Sequence, residues 1–265
     1  MPHDGPTTPG GDNASVAAPT EPAPRFDGSF NFRSDTPAGK DPDAHSPTLR
    51  AYHQLLWSKT TPSGVTLALD APRARRQGYL THTWPDGRRE WFGSDAITGS
   101  YSRWMRPKAL VSAREALDAA QRARYLDPPY TIASAMIWPV RSKQRSINQA
   151  RGTRHVIADR MDLTLECIRR HYNGQQASPL ADVLAAHDDF FALFSTFAGF
   201  VEFFHFQDWV NPSYDSVNFF LPLEDFTRPG VPVSVQEYVS YRESVLTRIE
   251  QRRHRMDAWV QANHS

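Results

Sequence analysis

Three carboxylates, Asp159, Asp162 and Glu166, and four arginines, Arg151, Arg160, Arg169 and Arg170, crowd one short stretch of this chain. Carboxylates so placed can act as general bases or metal ligands, and guanidinium forks can hold the anionic groups of a substrate. Residues 157–172 read as a helix. At about 100° per residue, Ile157, Met161, Leu165, Ile168 and Tyr172 form one apolar stripe. Asp159, Asp162, Glu166, Arg169 and Arg170 fall on the opposite side. Like charges at i, i+3 and i+7 destabilise a helix by roughly 0.2–0.5 kcal/mol per pair, so something must compensate them. Arg151, Arg154, Arg169, Arg170 or a bound cation could do so.

Two readings of that face stand side by side. In the structural one, acids near the helix start and Arg169, Arg170 and His171 near its end complement the helix dipole, and Glu166 pairs with Arg170. In the functional one, the flanking Leu163 and Cys167 indicate that the charged side is also covered, where carboxylates acquire shifted pKa values. Asp159, Asp162 and Glu166 are then the candidate catalytic residues. Asn148, Arg151, Arg160, Arg169 and Arg170 are the candidate ligand-binding residues.

A second polar group, His205 and Asp208, lies inside an aromatic block that holds 11 of the 15 phenylalanines, between Phe190 and Phe226. If 200–210 is helical it is apolar all round and buried, so Glu202, His205, Gln207 and Asp208 need partners. His205 and Asp208 could form a base and its orienter, ligate a metal, or be satisfied structural groups; both join the ligand-binding candidates. Arg252-Arg253-His254-Arg255 is the strongest basic cluster, either a solvated helix end or a contact for a nucleic-acid or protein partner. Cys167 reads as a packed side chain rather than a nucleophile. The chain has no dinucleotide fingerprint, nucleophile elbow or kinase signature, and no cofactor is implied.

The elements that must position these groups form an α+β pattern. A small antiparallel β portion in the N-terminal half packs against a largely helical, aromatic-rich C-terminal half. Ser46-Pro47 starts a helix with Leu49, Tyr52, His53, Leu56 and Trp57 on its inner side. Residues 65–69 form a short strand. Residues 79–84 and 88–92 flank a Pro85-Asp86-Gly87 turn as a hairpin. A helix runs from Pro107 to about Arg124, and residues 130–138 form a buried strand. Ser178-Pro179 opens a helix ending near Phe194. Ser234 and Glu237 make a capping box for a long terminal helix whose inner face is Val235, Val239, Leu246, Ile249, Met256 and Val260.

With 265 residues and a formal net charge of +1, the chain has core enough for one domain over 26–262 and no strong global pull toward nucleic acid. Residues 1–25 are poor in large apolar side chains and are expected to be disordered. One cysteine, no secretory pattern and no apolar run of membrane-spanning length point to a soluble, cytoplasmic protein with no membrane partner.

Several strings are similar to those of a family of uncharacterised bacterial proteins, a domain of unknown function. The N-terminal ones are Phe30 to Pro37, His45 to Arg50 and Leu55 to Lys59; the later ones are Ile147 to Gly152, Asp159 to Tyr172 and Val217 to Pro222. The likeness covers roughly residues 26–255 and implies one domain, a bacterial source and no established active site to transfer. It departs at Ile132–Met136, which lacks the glycines expected of that strand. The leading expectation is a protein that binds or acts on a small anionic or nucleotide-like ligand in a polar pocket lined by the 157–172 helix. The alternative is a non-catalytic interaction protein using that helix and the basic C-terminal helix.

Overall fold

A computed structural model describes residues 25–71, 80–97, 108–125, 130–140, 146–175 and 177–264. The tail expected to be disordered therefore lies, apart from Arg25, outside the described residues. Asp41 caps a short helix α1 (Pro42–His45), and Ser46 caps α2 (Pro47–Trp57) by accepting a hydrogen bond from the Leu49 N–H at 3.0 Å. The five residues expected on the inner side of α2, Leu49, Tyr52, His53, Leu56 and Trp57, are the ones it buries.

The hairpin forms as its turn chemistry predicts. Strands β1 (Leu80–Thr83) and β2 (Arg89–Ala96) pair antiparallel with Thr83 opposite Arg89, and Gly87 takes φ +83°, which favours glycine. A third strand, β3 (Ala135–Pro139), adds antiparallel to β2 and is buried along its whole length. Residues 65–69 form no strand; only isolated bridges, Thr60 to Thr66 and Asp70 to Thr81, mark their extended course.

Four element boundaries differ from expectation. The 107–124 segment divides into α3 (Lys108–Glu115) and α4 (Ala119–Tyr125), because Asp118 caps the second piece through the Gln121 N–H at 2.8 Å. Residues 132–134 coil into a single 3-10 turn before β3 begins. After α5 (Ile147–Thr153), the charged helix α6 (Met161–Tyr172) starts four residues late, since Ala158 and Asp159 adopt left-handed φ values of +49° and +62°. The 178–194 segment forms two short helices, α7 (Ala181–Ala185) and α8 (Asp188–Ala192).

The next helix, α9 (Phe197–Phe203), ends before His205, which also sits at a left-handed φ of +60°. Phe190, Phe194, Phe200 and Phe204 lie in this region with ring centroids 5.0–5.3 Å apart in several tilted and edge-on pairs, and they form the heart of the core. The terminal helix α10 (Val235–His264) is capped by Ser234 as expected, while the Glu237 carboxylate accepts the Val233 N–H. Its buried face is Tyr238, Tyr241, Arg242, Val245, Ile249, Arg252 and Met256. The stripe is thus rotated from the expected one and carries two arginines at core positions. Among the described residues no helix is long and apolar enough to cross a membrane.

Candidate functional site

The charged helix faces neither water nor an open pocket. The first two turns of α6, from Met161 to Ile168, are buried on all sides. Asp162 is fully buried and accepts hydrogen bonds from Arg160 Nε at 3.0 Å, from Arg160 Nη2, and from the Phe220 N–H at 3.0 Å. Arg160 also donates to the Gly230 and Leu221 carbonyls. This pair bolts the start of α6 to the 220–230 segment. Glu166, 4% exposed, is held by Arg169 at 2.8 and 2.9 Å and by Arg170 at 2.8 Å; Arg170 then reaches Asp225 at 2.7 Å. The expected pairing of Glu166 with Arg170 is present.

Asp159 does not share that face, because the left-handed turn takes it off the helix. It meets Arg151 instead, with its Oδ1 3.4 Å from Nη2. Arg151 is fully buried, donates to Asp95 at 2.9 Å and to the Thr164 hydroxyl at 3.0 Å, and so ties β2, α5 and α6 together. Asp43, near Asp95, accepts hydrogen bonds from the Ser94 N–H and hydroxyl. Burial pushes Asp43 up to about 7. Burial likewise pushes Asp95 up to about 7, with the charges of Asp159 and Asp43 adding to the rise and Arg151 opposing it. The Arg151 guanidinium therefore faces two carboxylates of the chain itself, Asp95 and Asp159. Asn148 stands half-buried on the neighbouring α5.

His205 and Asp208 part company. Asp208 is bound by Arg255 at 2.5 and 3.0 Å, which leaves it no role as an orienter of His205. His205 instead joins a group around Trp57, whose indole is fully buried at the end of α2. The Lys59 ammonium lies 5.4 Å from the Trp57 ring centroid, the Arg252 guanidinium 5.8 Å, and the His205 ring 5.8 Å. Lys59 also stands 4.6 Å over Phe203 and 4.3 Å over Trp259, and donates to the Phe203 carbonyl at 3.1 Å. Arg252 donates only to backbone carbonyls, those of Phe204, Ala133 and Ala135, at 3.0, 2.6 and 2.9 Å.

The charge around Trp57 is one-sided. Burial and then the Arg252 charge lower Lys59 to about 7. Burial and then the charges of Lys59, Arg252 and Arg255 hold His205 down at about 2, so its ring stays neutral. Burial lowers Arg252 to about 9. No carboxylate figures among the causes of any of these shifts. Three buried polar atoms here lack a hydrogen-bond partner: Arg252 Nη2, His205 Nε2 and the Trp57 indole nitrogen. Natural proteins leave few such groups unsatisfied, and here they cluster around cations whose charge no neighbouring carboxylate offsets among the described residues.

A family model described as a family of unknown function (DUF6994) matches residues 26–256. The chain belongs to this family. Trp57, Lys59, His205 and Arg252 all fall within the matched span, and Trp259 lies beyond it. No curated protein and no solved structure matches the chain. Of the Trp57 group only His205 was singled out from sequence as a binding residue. The phase of α10 holds a usable signal for another member: Arg252 lies in register with Val245, Ile249 and Met256, and an arginine at a core position needs an explanation.

The basic run near the C-terminus is committed inside the chain. Arg252 is buried, Arg253 binds Glu250 and Asp257 at 2.6 Å each, and Arg255 binds Asp208. Cys167 is buried and its thiol is pushed up to about 12, chiefly by burial, which makes it packing rather than chemistry.

Proposed function

We propose that this protein binds a small anionic ligand at the Trp57 centre, with Lys59 as the mobile cation and Arg252 and His205 as fixed walls. The reading keeps the ligand class expected from sequence and moves the site from α6 to the junction of α2, α9 and α10. The observation that carries it is the convergence of Lys59, Arg252 and His205 on one indole, with no carboxylate among the described residues acting on them. The half-buried Trp259 ring beside Lys59 favours a ligand that carries a planar ring, as a nucleotide does. The Arg151 centre fits such a ligand poorly because its guanidinium is already paired with Asp95 and Asp159. The interaction-surface reading has less support, since Arg169, Arg170, Arg253 and Arg255 are each spent on an internal carboxylate. A cytoplasmic, bacterial setting belongs to the same proposal. The single buried cysteine suits a reducing compartment, and the bacterial source rests on the sequence resemblance.

The test is a titration of tryptophan fluorescence with AMP, and with inorganic phosphate as the ringless control. The parent protein should show a saturable change with AMP, and Lys59→Met should weaken binding by at least about tenfold, the loss of one charge-assisted contact. Because the ligand-free Lys59 titrates near 7, a bound anion raises its pKa and binding takes up a proton. Affinity should therefore hold steady below about pH 7 and fall as pH rises above it. A parent protein that responds to neither ligand, or a Lys59→Met protein that binds as tightly as the parent, defeats the proposal.

A further inference from the structure

Beside the middle of α10 lies a pocket of about 330 Å³. Its volume stands at the lower end of the roughly 300–1,000 Å³ of small-molecule sites. One wall is Asn218, Phe219 and Phe220, and the other is Glu243, Ser244, Thr247 and Arg248 of α10. These four are helix neighbours at i, i+3 and i+4, so one face presents a carboxylate, two hydroxyls and a guanidinium. The first wall is fixed in advance. The Asn218 N–H donates to the Trp209 carbonyl and its side-chain amide to the Val210 carbonyl, both at 2.9 Å, and the Phe220 N–H donates to Asp162 at 3.0 Å. The Phe220 ring packs on Trp209 with centroids 4.9 Å apart, and the half-buried Phe219 adds apolar surface. A wall that needs no ordering when a ligand arrives costs little binding energy.

The polar groups of the pocket keep capacity for a ligand. Arg248 makes one hydrogen bond among the described residues, from Nη1 to the neutral Gln251 amide oxygen at 2.9 Å. The carboxylate its charge reaches, Asp208, is already bound through both oxygens by Arg255. Most of a five-donor fork therefore remains for an anionic group. Ser244 and Thr247 stand half-buried and exposed beside it, and each hydroxyl can donate or accept. At the other end of the α10 wall, Glu243 receives Arg124 at 2.6 Å on one oxygen and the Tyr125 hydroxyl on the other. A carboxylate has about four acceptor positions, so roughly two remain for a further donor. The Asn218 amide donates through its nitrogen to Val210, and its oxygen is a second acceptor. Glu243 and Arg248 are separated by a rise of about 7.5 Å along the helix. A ligand that meets both carries a positive and a negative group close together, and one that also covers Phe219 carries a ring.

We infer that this pocket binds a free α-amino acid with an aromatic side chain. Arg248, with Ser244 and Thr247, takes the carboxylate; Glu243 and the Asn218 oxygen take the ammonium; Phe219 and Phe220 take the ring. The pocket shares no residue with the Trp57 centre.

Calorimetric titration of the full chain with L-phenylalanine tests the inference, with 3-phenylpropionate as the analogue lacking the amine and phenethylamine as the one lacking the carboxylate. Phenylalanine should bind saturably, and each analogue should bind at least about tenfold more weakly, the loss of one charge-assisted contact. Arg248→Met gives up only a neutral partner, so it should unfold at the parent's temperature. It should lose at least about tenfold in phenylalanine affinity and no longer prefer phenylalanine to phenethylamine. Lys59→Met should bind phenylalanine like the parent, and Arg248→Met should keep the AMP response of the Trp57 centre, which separates the two sites. The inference is overturned if the parent does not bind phenylalanine, or if 3-phenylpropionate binds as tightly. It is overturned equally if Arg248→Met binds phenylalanine as tightly as the parent, or if Lys59→Met is the variant that loses it.

Discussion

Asp162 is the residue whose replacement separates a structural from a chemical reading of the charged helix. In Asp162→Ala the carboxylate that accepts two Arg160 donors and the Phe220 N–H disappears. Breaking a buried pair by removing one partner costs about 3–5 kcal/mol, because the other charge stays buried without compensation. Arg160 keeps two carbonyls, of Gly230 at 3.2 Å and Leu221 at 3.4 Å, and the Tyr241 ring 5.6 Å away, which offset part of the loss. The orphaned Phe220 N–H adds about 1–3 kcal/mol. The expected total is roughly 4 kcal/mol, a large share of the stability of a domain. Urea unfolding should show a lowered midpoint with an unchanged slope. Removing both charges, in Arg160→Met with Asp162→Leu, should recover about 2 kcal/mol of that loss. AMP binding by the folded fraction should be unaffected. The reasoning is refuted if Asp162→Ala costs under about 1 kcal/mol, or if it leaves stability intact and abolishes ligand binding.

Two further outcomes follow from the same structure. Asp95 titrates near 7 in the folded protein, above its ordinary range, so the folded state holds its proton where the unfolded chain has lost it. Its contribution to stability is full below about pH 4 and is lost as pH climbs to about 7. In paired denaturation curves Asp95→Asn should therefore gain on the parent across that window and run parallel to it above; a constant difference from pH 4 to 8 would show that Asp95 is not perturbed. At Gly199 an added Cβ would lie 2.2 Å from the Phe194 carbonyl oxygen, a backbone atom that cannot move aside alone. Gly199→Ala should cost about 2–3 kcal/mol or more in urea unfolding, whereas an indistinguishable midpoint would mean that the α8–α9 turn opens freely.

Local chemistry was legible wherever the deciding contacts lie within a few residues. Pro85-Asp86-Gly87 specifies its turn, Ser46-Pro47 caps α2, and the stripe Met161, Leu165, Ile168 buries as its period requires. The late start of α6 was not legible, since nothing in the periodicity marks Ala158 and Asp159 as left-handed. That turn is held from outside, by the Gly230 N–H donating to the His155 carbonyl 75 residues earlier, at a glycine where a Cβ would meet the Ile157 and Val156 carbonyls.

The α+β pattern, the hairpin, the aromatic core and the presence of a charged helix follow from residue order alone, because capping, turn preference and apolar period act over a few positions. Which charge meets which was decided only in three dimensions. Arg151 finds Asp95 from 56 residues away, Arg252 finds Ala133 from 119, and Arg242 finds no one. The cost of a buried charge depends on every group brought near it, and that environment exists only once the chain has folded.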